Sequence, residues 1–268
     1  MAPGASARSI AQVDRSLSHL AARLRNLSAA GLLCAVAHGV TAADLLTPLV
    51  SPEATLSPVW KFHGLPDTRV PPTRFEAIQT PRGPAVRIIA DASYGLLMHP
   101  LSLSDPDAVL TWEWAIVRAN PAANLRTRTG DDAPIKVCAL YDVPLEALPF
   151  VERQRLRLAR WMTREALPAA TLCYVWDSTL PVGEIVPNPY SNRVRSMVLR
   201  NEAPRADGWR MERRMLREDF VRAFGREAGS HPQLVGIAVG ADADNTRRSS
   251  EALLRGLSLG NAEESPGR

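Results

Sequence analysis

The chain has 268 residues, of which 46% are hydrophobic and 22% are charged, a composition typical of a globular protein with a single core. Its formal net charge is +4, and four arginines within the first 25 residues supply most of it. Beyond residue 42, basic and acidic residues intermingle, and no basic stripe with interleaved aromatic residues is present. This charge distribution argues against a nucleic-acid partner.

Residues 1–42 have the order of a secretory signal peptide. Arginines precede the apolar stretch 26–40, which is too short to span a membrane, and small residues follow it. We therefore expect export, cleavage near Ala42 or Ala43, and a periplasmic mature protein with no stable membrane span. The alternative is that this stretch is the first helix of the folded domain.

The remainder of the chain carries the pattern of a β protein. Residues 43–57 are rich in Pro, Ser and Thr and predict an extended leading segment, whereas most segments from 58 to 260 alternate in polarity with a period of two. These strands and few helices predict a single antiparallel β-sandwich. Residues 261–268 predict a disordered tail. The predicted strands are Ala85–Asp91, Ala108–Val117, "IKVCALYDV", "TLCYVWD", Asn192–Arg200 and "LVGIAVGAD".

Two cysteines follow the signal peptide, and each lies in a predicted strand. Cys138 is in "IKVCALYDV" and Cys173 is in "ATLCYVWD". Export would place both in a compartment that permits disulfides, and they can pair only if their strands face each other. We expect buried free thiols, with a disulfide as the alternative.

Two helices interrupt the predicted strands. Residues 145–168 predict an amphipathic helix lying on the sandwich, with Val151, Leu158, Trp161 and Met162 as its apolar residues and arginines on its other surfaces. These arginines indicate either a solvated face or a surface for a partner. Residues 215–225 predict a second helix, which presents Phe220, Val221 and Phe224 on one side and is capped by Gly225.

The stretch "GIAVGADADNT", residues 236–246, is the first candidate site. Its oxygen-bearing side chains are of the type that Ca²⁺ accepts, although the spacing lacks the later ligands of an EF-hand. A second acidic pair occurs in "GDDA", and we expect the two regions to meet at one end of the sandwich. The candidate ligand-binding residues are Asp131, Asp132, Asp242, Asp244, Asn245 and Thr246, with Asp242 and Asp244 as candidate metal ligands.

Two other interpretations of these acidic residues remain open. Asp and Asn at strand ends commonly cap turns, and a buried Asp can pair with Arg213 or Arg247. Paired carboxylates also serve glycosidases as acid and base at defined separations. The candidate carboxylates for such a pair are the four aspartates above together with Glu212 and Asp219.

Tryptophans provide the second set of candidate ligand contacts. Trp112 and Trp114 lie two residues apart and share one face of their strand, where we expect them to fill the core. Trp176 and Trp209 adjoin turns, and we expect them to contact a ligand. An indole face stacks on the apolar C–H surface of a sugar ring.

Five motifs occur in a fixed order: "LTWEWAI", "RTGDDAPIKVCALYD", "LPAATLCYVWD", "GWRMERRMLREDFVRAFG" and "GIAVGADADNT". In this order, over residues 58 to 259, the chain resembles a bacterial family known as domain of unknown function 3047. The resemblance implies an exported protein with a jelly-roll-like β-sandwich, and it implies no activity.

These observations predict an exported, non-catalytic β-sandwich that recognises a glycan or another envelope component. One alternative is a carbohydrate-active hydrolase or lyase that uses the acidic residues. The other is a structural partner in an envelope complex, in contact through the arginine-rich helix at 145–168. Nothing around the serines or histidines forms a nucleophile elbow or a zinc site.

Overall fold

The computed structural model describes residues 44–65, 69–104, 107–163, 167–205, 208–225 and 232–261. The predicted signal peptide and residues 262–268 of the predicted tail lie outside the described residues. The strands are β1 (Lys61–His63), β2 (Arg74–Thr80), β3 (Gly83–Asp91), β4 (Tyr94–Ser104), β5 (Ala108–Arg118), β6 (Lys136–Asp142), β7 (Ala170–Trp176), β8 (Ile185–Asn188), β9 (Ser191–Arg200), β10 (Arg210–Met215), β11 (Gln233–Asp242) and β12 (Ser249–Asn261).

These strands form two sheets that pack as a sandwich, which confirms the predicted fold class. The seven-stranded sheet has the order β1-β4-β11-β6-β7-β9-β8, and the five-stranded sheet has the order β10-β5-β12-β3-β2. Among the named strand pairs, β7 and β9 are parallel and the others are antiparallel. The sandwich is therefore antiparallel except at one pair.

The main core lies between the two sheets. Alternation along β5 turns Trp112 and Trp114 inward, where they are 1% and 0% exposed, as expected. Tyr174 packs against Trp112, and Phe220 packs against Tyr141. A smaller apolar cluster lies on the other face of the seven-stranded sheet and includes Cys138, Cys173 and Val198.

Cys138 and Cys173 form a disulfide, so our expectation of free thiols is wrong. The register of β6 and β7 places the two residues directly opposite each other, with their Cα atoms 4.0 Å apart. Only the pairing register shows that the two cysteines are neighbours, and single-strand periodicity does not reveal it. Because disulfides persist in oxidising compartments, the bond indicates an extracytoplasmic location.

The first helix, α1 (Phe150–Thr163), is shorter than predicted and is preceded by a 3₁₀ turn at Leu145–Ala147. Leu156 packs against the core, whereas Val151 and Leu158 are 55% and 56% exposed. The prediction that these two residues are the apolar contact with the sandwich is therefore wrong. No helix in the described part of the chain is long and apolar enough to cross a membrane.

The second helix, α2 (Leu216–Phe224), matches its predicted position. Phe220 and Phe224 are buried, whereas Val221 is 59% exposed and does not share their face as predicted. Gly225 follows the helix with a φ of 53°, in the left-handed region where a glycine C-cap is favoured.

Candidate functional site

The structure brings the two predicted acidic regions together at one end of the sandwich. Asp242 is the last residue of β11, and Asp131 and Asp132 precede β6, its neighbour in the sheet. Carboxylate oxygens of Asp132, Asp242 and Asp244 all lie within 4.8 Å of one another. We call Asp131, Asp132, Asp242 and Asp244 the acidic cluster.

Asp132 holds the loop that follows β11. It is 1% exposed, and its Oδ1 accepts hydrogen bonds from the backbone N–H and the side-chain amide of Asn245, at 3.1 and 3.3 Å. Its Oδ2 accepts from the backbone N–H of Thr246 at 2.8 Å and lies 3.5 Å from the Asn120 amide nitrogen. The predicted ligand residues Asn245 and Thr246 therefore bind this carboxylate.

Asp242 pairs with Lys136 rather than with the predicted arginines. Its Oδ1 accepts from the Ala133 backbone N–H at 2.7 Å, and its Oδ2 accepts from the Lys136 ammonium. Burial raises the pKa of Asp242, and Lys136 opposes that rise. Burial lowers the pKa of Lys136, but the surrounding negative charge, chiefly that of Asp242, outweighs it and raises this pKa overall.

Lys136 is the residue that the sequence interpretation missed. It is the first residue of β6, and its ammonium also lies 5.1 Å from the centre of the Tyr94 ring. A lysine whose side chain is only 15% exposed needs a partner, and four nearby carboxylates supply one. The sequence feature that could have identified Lys136 is its position, at the start of an apolar strand and four residues after Asp132.

The cluster carries more negative charge than Lys136 neutralises. Burial raises the pKa of Asp131 to about 6, and the charge of Asp242 adds to that rise. Burial also raises the pKa of Asp244, whose Oδ1 is buried without a hydrogen-bond partner. The Asp131 carboxylate accepts from the side-chain amide of Asn188 at 2.5 Å. Protonation of Asp131 or Asp244, or a ligand bound to either, therefore reduces the repulsion among the carboxylates of the acidic cluster.

The acidic cluster fits Ca²⁺ poorly. The ion takes six to eight oxygens, whereas both oxygens of Asp132 and both oxygens of Asp242 already accept hydrogen bonds. The Lys136 ammonium already supplies the positive charge beside Asp242. The remaining oxygens of Asp131 and Asp244 are too few for such a coordination shell, and one oxygen of Asp131 already accepts from Asn188.

A third loop meets the acidic cluster, the turn between β8 and β9. The Tyr190 hydroxyl lies 2.9 Å from Asn245 Oδ1 and 3.1 Å from the carbonyl oxygen of Arg128. Asn188, from the same turn, donates to Asp131. Tyr190 is 58% exposed, so this polar rim borders solvent beside the cluster.

Glu212 and Asp219 serve the core rather than a reaction centre. Glu212 accepts hydrogen bonds from Trp114 Nε1 at 3.0 Å and Arg200 Nε at 2.7 Å. Asp219 accepts from the Tyr174 hydroxyl at 3.0 Å and from the Arg214 guanidinium. Each carboxylate satisfies a buried aromatic donor and an arginine, as a buried acid in a core must.

The two candidate ligand tryptophans differ in accessibility. Trp176 is 3% exposed, its ring centre lies 5.9 Å from that of Trp114, and its Nε1 donates to the Glu202 carbonyl oxygen. Trp176 is therefore part of the core. Trp209 is half-buried and lines a surface cavity.

We call this cavity the Trp209 cleft, and it has a volume of about 350 Å³. Trp209 directly precedes β10, whose first residue pairs with Trp114 of β5, so Trp209 stands beside Ala115. Ala115, Val117 and Leu253 belong to the outward-facing positions of β5 and β12 and form an apolar floor. Arg205 also lines the cleft.

Charged pairs stand on both sides of this floor. On β12, Glu251 lies two residues before Leu253, and its carboxylate is 3.8 Å from the Arg118 guanidinium. Arg255 lies two residues after Leu253 and donates to the Glu113 carboxylate at 2.9 Å. The cleft therefore has an apolar floor, a mixed polar and apolar lining, and charged residues on the neighbouring positions of β12 and β5.

The cleft and the acidic cluster lie at the same end of the sandwich. Val117 is close to the end of β5, and Asn120, just beyond that strand, donates to Thr246 and approaches Asp132. The structure thus separates the predicted site residues into a polar cluster, an open aromatic cleft and one buried tryptophan.

Comparison with known proteins gives a family but no activity. No curated protein matches the chain. Among solved structures it is similar to the xyloglucanase domain of NopAA, a type three effector from Sinorhizobium fredii, in complex with cellobiose. That similarity has 6% identity, a TM-score of 0.37, and covers 75% of this chain and 96% of that one, which is too distant to indicate a ligand. Residues 58–258 match the family described as "Protein of unknown function (DUF3047)", and the chain therefore belongs to that family.

Proposed function

We propose that this protein is a non-catalytic periplasmic binding protein that recognises a glycan or another polyhydroxylated envelope component through the Trp209 cleft. The observation that carries the proposal is the half-buried indole of Trp209 beside an apolar floor on the outer face of the five-stranded sheet. A sugar ring has one apolar C–H surface and a polar edge, and it matches an aromatic wall with charged groups around it.

The polar edge of the cleft suits hydroxyl groups. Arg118 is 52% exposed at its side chain and has its partner Glu251 at the long distance of 3.8 Å, so its guanidinium can donate to a ligand without losing a strong bond. Arg205 is an exposed member of the lining. Guanidinium groups donate several hydrogen bonds in one plane, which suits vicinal hydroxyls.

The proposed periplasmic location rests on the disulfide together with the expected signal peptide. The Cys138–Cys173 bond is of a kind that persists in oxidising compartments. In that location the accessible polymers are those of the envelope, and this is why an envelope glycan is the proposed ligand class.

The proposal is tested by isothermal titration calorimetry with soluble envelope oligosaccharides, selected first on a glycan array. We expect Trp209→Ala to weaken binding by at least about tenfold, since it removes the stacking surface. Tyr190→Ala is the matched control, because it removes an exposed aromatic ring outside the cleft. Equal affinity of Trp209→Ala and the unaltered protein would contradict the proposal.

One observation keeps a catalytic alternative open. Asp131 has a pKa raised to about 6, close to the range in which a general acid works near neutral pH, and it adjoins carboxylates whose oxygens lie within 4.8 Å of one another. A carbohydrate-active hydrolase or lyase would use Asp131 as its acid. If the unaltered protein releases new reducing ends from the glycans that bind and Asp131→Asn does not, this alternative is favoured. If neither protein releases reducing ends, the non-catalytic proposal is favoured.

A further inference from the structure

Helix α1 is attached to the sandwich by its polar side. Leu156 packs against the core, and the Arg160 guanidinium binds Asp142 at 2.8 Å and the Leu167 carbonyl oxygen. Arg153 also reaches the Leu148 carbonyl oxygen at 3.4 Å. Among the side chains of this helix that the structure describes, Leu156, Arg153 and Arg160 thus make contacts with the sandwich side.

The outer side of α1 carries large apolar residues. Phe150, Val151 and Leu158 are 69%, 55% and 56% exposed. At about 100° per residue these three side chains occupy an arc of roughly 100° around the helix axis. We call these three residues the outer strip.

Arginines stand at both edges of the outer strip. With the same rotation per residue, Arg157 lies roughly 20° beyond Phe150, and Arg155 lies roughly 40° beyond Val151. Both arginines are exposed, and the 3.5 Å pair of Arg155 with Glu152 is a surface pair of little strength. The exposed Gln154 lies within the same arc, so the described outer face combines three large apolar residues and one amide with cationic edges.

We propose that the outer strip and its flanking arginines dock the protein on an anionic membrane surface. A helix lying in the plane of a bilayer interface places apolar side chains at the acyl boundary and basic side chains among the lipid phosphates. The outer face of α1 has both components in that order. The charge complementarity of Arg155 and Arg157 favours a lipid surface over a purely apolar protein groove.

The position of α1 agrees with this role. Helix α1 follows Asp142, the last residue of β6, whereas the acidic cluster adjoins Lys136, the first residue of the same strand. The docking face and the Trp209 cleft are therefore at opposite ends of the sandwich. A protein held through α1 therefore keeps its cleft directed away from the bilayer. Membrane docking through α1 does not depend on the ligand proposed for the cleft.

Vesicle flotation tests the proposal. The chain beginning at Ala43 is suitable, because the described core residues lie at Leu46 and beyond. We expect binding to vesicles of 70% phosphatidylcholine and 30% phosphatidylglycerol, little binding to phosphatidylcholine alone, and weakening by salt. Val151→Glu with Leu158→Glu should reduce binding at least tenfold. Arg155→Gln with Arg157→Gln should reduce it by roughly fivefold per arginine and flatten the salt dependence.

Met211→Glu is the matched control, since Met211 is 70% exposed on β10, away from α1. Because all altered residues are exposed, thermal melting should show an unaltered fold. Equal binding to both vesicle types, or full binding by the double glutamate variant, overturns the proposal. A dimer that this variant converts to a monomer also overturns it, because the outer strip is then a contact between two copies of the chain.

Discussion

Replacing Asp131 with asparagine should stabilise this protein at neutral pH. Asp131 is a partly exposed member of the acidic cluster, in which the Lys136 ammonium attracts Asp131, Asp242 and Asp244. The variant keeps an oxygen that can accept from the Asn188 amide, so it removes the charge while retaining the contact. The change therefore isolates the cost of holding a negative charge at this partly buried position.

The size of the effect follows from the pKa of Asp131, which burial raises from 3.8 to about 6. At 1.36 kcal/mol per pH unit, ionising this group in the fold costs about 3 kcal/mol at most, and solvent screening of a partly exposed group lowers the expectation to about 1–2 kcal/mol. Because the folded state holds the proton more tightly, the cost is fully present above about pH 6 and disappears as the pH falls towards 3.8.

Urea denaturation at pH 7.5 and pH 4 measures the difference in free energy of unfolding between Asp131→Asn and the unaltered protein. We expect Asp131→Asn to be more stable at pH 7.5, and the two proteins to be nearly equal at pH 4. Asp91→Asn is the control, because Asp91 is an exposed aspartate outside the acidic cluster. This variant should leave the free energy of unfolding unchanged at both pH values. A variant that is less stable at pH 7.5, or a difference that does not vary with pH, would refute the reasoning.

Two further predictions concern bonds of the same sheet. Lys136→Met removes the cation bound to buried Asp242 and should lower the free energy of unfolding by about 3–5 kcal/mol at neutral pH, measured by chemical denaturation. A loss no larger than that of the exposed Lys61→Met would contradict it. Replacing both Cys138 and Cys173 with alanine opens a bond between residues 35 apart and should cost about 3–4 kcal/mol. An unaltered melting temperature would show that the bond does not constrain the unfolded chain.

The strands that the sequence interpretation identified are those in which alternation is regular and apolar. β3, β5, β6, β7, β9 and β11 were predicted close to their observed bounds. The central strand β12 was missed, because register shifts interrupt its pairing with β5 and Gly256 adopts a φ of 59°. A bulge shifts the side-chain alternation by one residue, so a period-two pattern no longer extends through the strand.

The candidate site was predicted in part for a related reason. The acidic regions around Asp132 and Asp242 were both identified from their residue types, and their meeting at one end of the sandwich was expected. Their counter-ion, Lys136, was not, because sequence distance does not show which cation a folded chain brings near a carboxylate. Trp176 and Trp209 looked alike in sequence, as tryptophans next to turns, yet Trp176 is buried in the core and Trp209 is half-buried at a surface cavity.

The sequence by itself determined the layered β architecture and the burial of Trp112 and Trp114, because alternation along one strand decides which residues share a face. Only the tertiary structure decided that Cys138 meets Cys173, that Lys136 neutralises Asp242, and that Val151 and Leu158 of α1 face outward. Each of these depends on which elements become neighbours and in what register. Pairings between distant segments arise from the packing of the whole chain, and no local pattern encodes them.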